Sequence, residues 1–423
     1  MIYFERGSET DSLTSLDLQI SINAALSKLG PRKKVLVIPP DFTRFHSRAG
    51  EITQYICEYY GNAVTDILPA LGTHFAMSPQ EIEIMFGKKL SGLIREHNWR
   101  TDIVKLGDVP SGFIHQVSEG KLNYSWPAQV NKLLVQGNYD LILSVGQVVP
   151  HEVIGMANFN KNIFVGTGGA EGINKSHFLG AVYGMERIMG RADTPVRKVL
   201  NYASKAFSNH LPIVYIQTVL SKDSLDNKLK LRGLYIGNGV ECFEKASDLS
   251  LKVNFKMLEK PLKKVVVYLP PEEFKSTWLG NKSIYRTRMA IEDNGELIVI
   301  APGVREFGED KQIDKLIRKF GYKTTPEILE FIKNDPELAS NLSAAAHLIH
   351  GSSENRFSIT YCTSKLSEGE IKSVNYNHQP LDEIVNRYNP NSLKDGYNTV
   401  DGEEIFFISN PALGLWAHKD RFN

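Results

Sequence analysis

Strand-length apolar segments that alternate with helical segments constrain the fold of this chain most strongly. One helix is expected to start at Ser78, where a serine cap precedes a proline and two acids, Glu81 and Glu83. This alternation predicts the α/β class, with a mostly parallel sheet flanked by helices. The buried-strand patterns lie at residues 35–38, 66–74 (a strand followed by a turn), 101–108, 140–149, 162–166 and 211–220.

A second domain is expected after a charged stretch that ends near residue 262. A new series of strand patterns begins there, at residues 263–270 and 296–303. The chain has 423 residues, which is enough for two or three domains. We therefore predict two α/β domains, each with a mostly parallel sheet flanked by helices. They comprise residues 1–261, to which residues 402–423 return, and residues 262–401.

Composition excludes several classes of protein. The formal net charge is +1, so no overall field attracts nucleic acid or an anionic membrane. The three cysteines, Cys57, Cys242 and Cys362, lie far apart and form neither a disulfide framework nor a thiolate metal site. No signal peptide or membrane span is expected, because every apolar run is only strand-length. We expect a cytoplasmic protein.

Polar side chains follow three of the predicted strands at the point where each strand ends. The carboxyl ends of parallel strands meet at one edge of a sheet, so these side chains are expected in one crevice. Histidine can exchange a proton near neutrality, and the planar arginine fork suits a carboxylate or phosphate. The side chains are Asp41, Thr43 and Arg44 after the first strand, Gly72, Thr73 and His74 after the second, and His151 after residues 140–149.

A second group of candidate residues lies downstream of His151. Lys161 follows it by ten residues and His177 by sixteen more, with a glycine-rich turn between them. Glycine-rich turns and helix N-termini can hold phosphate through backbone N–H groups. The turn does not keep the spacing of a dinucleotide-binding fingerprint. The phosphate candidates are Gly72, Thr73, Gly166, Gly168 and Gly169.

Each of these residues also has a purely structural interpretation. A single histidine or lysine near a strand end is more often packed or at the surface than functional. Asp41 could cap a turn, and Arg44 could form a surface ion pair of little energetic value. The grouping of His151, Lys161 and His177 weakens this structural interpretation without removing it.

These motifs resemble those of the nickel-dependent lactate racemase family, whose members are racemases and epimerases of 2-hydroxy acids. The match is to the sequence PPDFTR at residues 39–44, to GTH at residues 72–74, and to the order and spacing of His151, Lys161 and His177. The resemblance covers most of the chain, and its specific motifs lie mainly in residues 39–180. The two-domain α/β layout is also what it implies.

The resemblance implies a cofactor and a set of roles. The cofactor would be a nickel-pincer nucleotide, the pyridinium-3-thioamide-5-thiocarboxylic acid mononucleotide with Ni, supplied by cofactor-synthesis proteins. Lys161 would bond covalently to it, and His177 would be the protein ligand to nickel. His74 and His151 would be the acid/base pair, and Arg44 would hold the substrate carboxylate or orient a catalytic group. The other cofactor-binding candidates are Asp41, Thr43, Gly72, Thr73, Gly166, Gly168 and Gly169.

The second domain departs from the family pattern that accompanies lactate. Tyr285 matches, but Arg286 replaces a glutamine and Met289 replaces a lysine. Arg286 or Arg288 could supply the missing charge, although a guanidinium is longer and planar. Tyr285, Arg286 and Arg288 are therefore substrate-binding candidates, with a solvated helix face as the structural alternative. We expect a larger or more polar 2-hydroxy acid, such as a sugar acid, to be at least as good a substrate candidate as lactate.

Two other functions are compatible with the residues alone. A zinc-dependent hydrolase could use His74, His151 and His177 as three ligands, although the lysine spacing would then be a coincidence. A non-catalytic α/β protein could hold an anionic ligand with Arg44 and the glycine-rich turns. The sequence does not define the oligomeric state.

Overall fold

Two compact units make up the protein. The structure, a computed structural model, describes residues 1–223, 228–412 and 414–422. The first unit contains Met1–Leu179 and Met189–Asn254, and the second contains Gly180–Ile188 and Phe255–Asn423. No helix of the described residues is long and apolar enough to cross a membrane.

The first unit is built on a six-stranded sheet with the order β1-β10-β9-β6-β2-β3. Its neighbours β3, β2, β6 and β9 run parallel, while β10 and β1 are added antiparallel at one edge. The strands of this unit are β1 (Ile2–Gly7), β2 (Val35–Ile38), β3 (Val64–Ile67), β4 (Ile103–Val109), β5 (Trp126–Asn131), β6 (Leu141–Gln147), β7 (Pro150–His151), β8 (Gly155–Met156), β9 (Ile213–Lys222) and β10 (Leu229–Gly237).

Among the residues that the structure describes, eight α-helices accompany this sheet, and the first shows why they form where they do. Thr14 and Asp17 form a reciprocal capping box at its start, and Leu18, Ile22 and Leu26 recur every four residues on its buried face. The helices are α1 (Ser15–Leu29), α2 (Ala49–Tyr60), α3 (Pro79–Phe86), α4 (Ser111–Val117), α5 (Lys132–Gln136), α6 (Ala170–Tyr183), α7 (Pro195–Phe207) and α8 (Val240–Asn254).

Two predicted strands of the first domain are corrected by the structure. Residues 162–166 form a π-helical turn, in which the Thr167 amide donates to the Asn162 carbonyl at 2.9 Å. A short apolar run is compatible with a buried helix as well as with a strand, so its periodicity does not distinguish the two. The strand pattern at residues 101–108 is real, but β4 pairs antiparallel with β5 in a separate two-stranded sheet.

The second unit contains its own six-stranded sheet, with the order β15-β14-β13-β12-β17-β16. All neighbouring strands run parallel except the edge pair β16 and β17. The predicted α/β class is therefore confirmed. The strands are β11 (Phe255–Leu258), β12 (Leu262–Tyr268), β13 (Ile291–Ile300), β14 (Ser358–Cys362), β15 (Asn377–His378), β16 (Gly396–Val400), β17 (Glu403–Ile408) and β18 (Leu415–His418).

Helices surround this second sheet as well. Several are short: α10 has four residues, and β13 begins soon after it at Ile291. The helices are α9 (Thr277–Gly280), α10 (Lys282–Tyr285), α11 (Lys311–Phe320), α12 (Thr325–Asn334), α13 (Pro336–Ala339), α14 (Leu342–His350), α15 (Glu368–Ser373) and α16 (Leu381–Arg387).

The end of the chain belongs to the second unit, which corrects the expected return of residues 402–423 to the first. Strand β17 lies between β12 and β16, and β18 pairs with β11. The second unit also starts at Phe255 rather than residue 262, and it includes Gly180–Ile188. An apolar run shows that a segment is buried, but it does not show which sheet the segment joins.

Candidate active site

The candidate site lies at the carboxyl ends of three neighbouring strands. Strand β2 lies between β3 and β6 and is parallel to both. Asp41 follows β2, His74 follows β3 and His151 follows β6. This edge of the sheet is where open α/β proteins bind ligands.

A buried carboxylate orients His74. The Nδ1 atom of His74 lies 2.6 Å from Oδ2 of Asp41, and the Thr43 hydroxyl donates to the other carboxylate oxygen at 2.5 Å. Burial raises the pKa of Asp41, but the hydrogen bonds from His74 and Thr43 outweigh this effect, so its pKa lies below the ordinary value. An ionised Asp41 draws the ring proton to Nδ1, which leaves the Nε2 lone pair of His74 directed away from it. The imidazole side chain is 45% exposed.

His151 has the opposite proton arrangement. Its Nδ1 atom accepts a hydrogen bond from the backbone N–H of Val153 at 3.1 Å, so the neutral ring carries its proton on Nε2. Burial lowers the pKa of His151 well below its ordinary value, and the charges of Lys161 and His177 act in the same direction. Glu152, 3.8 Å from Nδ1, opposes them. His151 is therefore neutral at neutral pH.

Lys161 is a partly buried amine near this group. Burial lowers its pKa to about 8, and the charge of Arg44 adds to this effect, while Glu152 and Asp41 oppose it. About one-tenth of the amine is then neutral at pH 7, far more than for an ordinary lysine. A neutral amine is the form that attacks an acyl group.

His177 presents one free ring nitrogen. It lies in α6, and its Nδ1 atom lies 2.8 Å from the carbonyl oxygen of Ile173, one helical turn earlier. Burial lowers the pKa of His177, partly opposed by this hydrogen bond, so the ring is neutral. The Nε2 atom therefore carries the lone pair and is the atom that can bind a metal ion.

Close packing accounts for the glycines of the turn between Lys161 and His177. A β-carbon at Gly166 would lie 2.7 Å from that of Ala70, and one at Gly168 would lie 1.9 Å from the Phe164 carbonyl oxygen. A β-carbon at Gly169 would lie 2.6 Å from the Gln129 amide oxygen. These contacts explain the residue type, and the phosphate role of the glycines stays a prediction.

The loop at Gly72 is tied to the same turn but does not begin a helix. The Gly72 amide donates to the Gly166 carbonyl oxygen at 2.8 Å, with Gly72 in the left-handed region at φ 58°. Helix α3 begins only at Pro79, so Thr73 lies in an exposed turn rather than at a helix N-terminus. The expected helix-terminus phosphate site at Thr73 is thereby corrected.

Three of the predicted substrate-binding residues lie in the second unit. Tyr285, Arg286 and Arg288 are all buried, which excludes the alternative of a solvated helix face. The Arg286 guanidinium donates to the Gly414 carbonyl oxygen at 3.0 Å. Arg288 is 2% exposed and donates to Glu186 at 2.7 Å, so its charge is already compensated within this unit.

Some residues that shape the site were missed by the sequence analysis. Asn158 and Asn162, on either side of Lys161, donate to the carbonyl oxygens of Gly146 and Val145 at 2.9 and 3.1 Å. The asparagines that alternate along the sequence before and after the lysine are a pattern from which this role could have been predicted. Arg197, which contacts the same segment from α7, lies 36 residues beyond Lys161 and had no such signal.

Known proteins share features of this sequence and this fold. Residues 12–188 match the family model of the lactate racemase N-terminal domain. A protein of known crystal structure from Thermotoga maritima is 25% identical over 97% of this chain and 100% of its own, with a TM-score of 0.82. The lactate racemase apoprotein from Thermoanaerobacterium thermosaccharolyticum is 16% identical over 96% of this chain and 93% of its own, with a TM-score of 0.72. No curated protein sequence matches the chain.

The fold and the site define an α/β protein in which histidines and a lysine gather near the strand ends of the first unit. Residues 12–188 are similar to the lactate racemase N-terminal domain, the family whose model they match. The family and the fold support a function of the racemase or epimerase type.

The protonation of His151 predicts how stability depends on pH. The ring is neutral when folded and gains a proton on unfolding below about pH 6.5, so the unfolded chain then binds more protons. The free energy of unfolding therefore falls as pH falls through this range. Urea unfolding at about pH 7.5 and 5.5 should show a smaller fall in His151→Gln than in the wild type. The exposed His210→Gln is the control. Equal falls in all three proteins would contradict the assignment.

Proposed function

We propose that this protein is a racemase or epimerase that inverts C2 of a 2-hydroxy acid, with His74 and His151 as the acid/base pair. The observation that carries the proposal is their complementary proton arrangement at one sheet edge. His74 offers a lone pair on Nε2, and His151 offers a proton on Nε2. A hydroxyl group must lose a proton when C2 becomes planar and regain one when it is reformed, and positioned histidines supply both functions.

The residues near this pair fit the nickel-pincer nucleotide of the family. Lys161 has a partly neutral amine suited to a covalent link, and His177 has a free Nε2 atom suited to nickel. One histidine is a weak metal site by itself, so the remaining donors would have to come from the bound nucleotide. When bound, that group would accept hydride from C2 and return it.

The chain's own side chains have defined tasks in this reaction. Asp41 keeps His74 in the tautomer that accepts the hydroxyl proton. Arg44 supplies a guanidinium for the substrate carboxylate, an interaction that fixes the orientation of C2. His151 must release its Val153 hydrogen bond before its Nε2 atom can accept a proton, because Nδ1 would then carry the ring hydrogen.

The zinc-dependent alternative lacks its ligand set. Within residues 1–223, 228–412 and 414–422, no group of three or more His, Cys, Asp or Glu side chains is arranged to hold a metal ion. A three-histidine zinc site needs such a group. The anion-binding alternative leaves the Asp41–His74 pair and the low pKa of Lys161 without a task.

Cofactor attachment is tested by mass. After the protein is produced together with the pincer-synthesis machinery, peptide mapping should find the nucleotide adduct on Lys161. His177→Ala should keep the adduct but lose nickel, because it removes the proposed metal ligand while leaving the amine. Lys175→Arg, which changes the α6 lysine that pairs with Glu171, is the matched control. An adduct on Lys175, or full nickel content in His177→Ala, would contradict these roles.

The acid/base pair is tested by half-reactions. His74→Ala and His151→Ala should each slow racemisation in both directions by about 10²–10⁴-fold, the usual effect of removing a positioned base. In a single turnover, each variant should still oxidise one pure enantiomer and fail with the other. Wild-type rates with both enantiomers in both variants would show that the two histidines are structural.

The substrate is expected to be larger or more polar than lactate, because Arg286 and Met289 depart from the pattern that accompanies lactate. A panel of 2-hydroxy acids and sugar acids, analysed by chiral separation after incubation with loaded enzyme, tests this. Poor turnover of lactate is the expected result. Lactate as the best substrate of the panel would refute the assignment.

A further inference from the structure

Arg197 is a buried residue that contacts the segment before Lys161 at three points. It lies in the first turn of α7 and is 1% exposed. Its Nη2 atom donates to the carbonyl oxygens of Met156 and Asn158 at 2.7 and 3.3 Å. Its Nη1 atom donates to the side-chain oxygen of Asn160. One guanidinium thus fixes both the backbone and a side chain of this segment.

Within the part of the chain that the structure describes, no carboxylate compensates the charge of Arg197. No carboxylate oxygen of the described residues lies within 4.0 Å of a guanidinium nitrogen, the distance that defines an ion pair. The guanidinium carbon instead lies 4.2 Å from the ring centroid of Phe243. Burial lowers the pKa of Arg197 to about 9, which still leaves it charged at neutral pH. A buried cation held only by neutral oxygens and an aromatic face is costly and therefore calls for an explanation.

The segment that Arg197 holds has an unfavourable backbone. Asn158 and Phe159 are consecutive residues in the left-handed region, at φ 68° and 58°. Residues with a β-carbon avoid this region, a bulky aromatic most of all. The Phe159 ring stacks on Phe243 at 5.2 Å, and Asn158 is bonded to β6. Contacts with the surrounding structure therefore maintain a turn that the local sequence does not favour.

We propose that Arg197 is a positioning residue for Lys161, acting through the turn at residues 156–160 rather than on a ligand. The three hydrogen bonds fix the backbone conformation of this turn and therefore the position of Lys161, which directly follows it. The uncompensated charge also disfavours a second cation nearby, and it contributes, after burial and Arg44, to the low pKa of Lys161. The inference rests on the proposed role of Lys161 as the attachment point of the cofactor.

The test measures the reactivity of Lys161 in the full chain without cofactor. The probe is the N-hydroxysuccinimide ester of acetic acid: the neutral amine attacks the ester carbonyl, N-hydroxysuccinimide leaves, and the nitrogen loses a proton to solvent. Labelling rates at Lys161 are determined by peptide mass mapping between about pH 6 and 10, a range that spans its pKa. No nickel or nucleotide is needed, so the result is independent of whether the cofactor ever binds.

Three variants separate charge from geometry. Asn160→Asp gives Arg197 a carboxylate partner and should raise the midpoint of the labelling profile, which slows labelling at pH 7 by about 3–10-fold. Arg197→Met removes both charge and hydrogen bonds and should slow labelling at least as much. Arg197→Lys keeps the charge but loses the planar guanidinium that makes three hydrogen bonds. The midpoint of the labelling profile should therefore stay the same, while the labelling rate at high pH should fall. Lys198→Met, the exposed neighbour on α7, is the matched control and should behave as the wild type.

The outcomes are decisive even if one variant folds poorly. Asn160→Asp keeps the size of the side chain but removes the amide that donates to Asn201 and Ser204. Circular dichroism therefore verifies that this variant and Arg197→Lys keep the fold. Profiles of these two variants that superimpose on that of the wild type would overturn the inference. Shifted profiles together with a Lys161 that never receives the nucleotide would support the positioning role and refute the proposed function instead.

Discussion

The parallel pairing of β2 with both β3 and β6 is the constraint on which the site depends. Parallel neighbours end at the same edge of a sheet, so the residues that follow them are brought together although they are distant in sequence. The 2.6 Å contact between Asp41 and His74 is a direct consequence. A chain with the same motifs and antiparallel pairing would place these side chains at opposite edges.

Burial, rather than ion pairing, sets the protonation of this edge. His151, His177 and Lys161 all have their pKa lowered by desolvation first. Asp41 remains ionised because hydrogen bonds outweigh its own burial. At neutral pH the edge therefore carries two neutral imidazoles, His151 and His177, beside an ionised Asp41 and a lysine that is partly neutral. Such groups suit proton exchange and metal or acyl chemistry.

The second unit shows how a candidate substrate-binding residue can have a structural task. Arg288 was a substrate candidate because its charge could replace that of a lysine, but it pairs with Glu186 of the segment Gly180–Ile188. The Arg356 guanidinium supports the pair through the Arg288 carbonyl oxygen and extends it to Asp293, at 3.0 and 2.9 Å. Removing Glu186 would leave the buried Arg288 guanidinium uncompensated, so this network stabilises the segment in the second unit.

The sequence by itself determined the α/β class, the starts of capped helices such as α3, and the strand ends that carry Asp41, His74 and His151. Periodicity and caps are local signals, and each is contained in a few neighbouring residues. The tertiary structure decided the rest: the π-helical turn after Lys161, the sheet that β17 joins, and the role of Arg197. Each of these depends on which distant group satisfies a buried polar atom or covers an apolar face, and no local pattern contains that information.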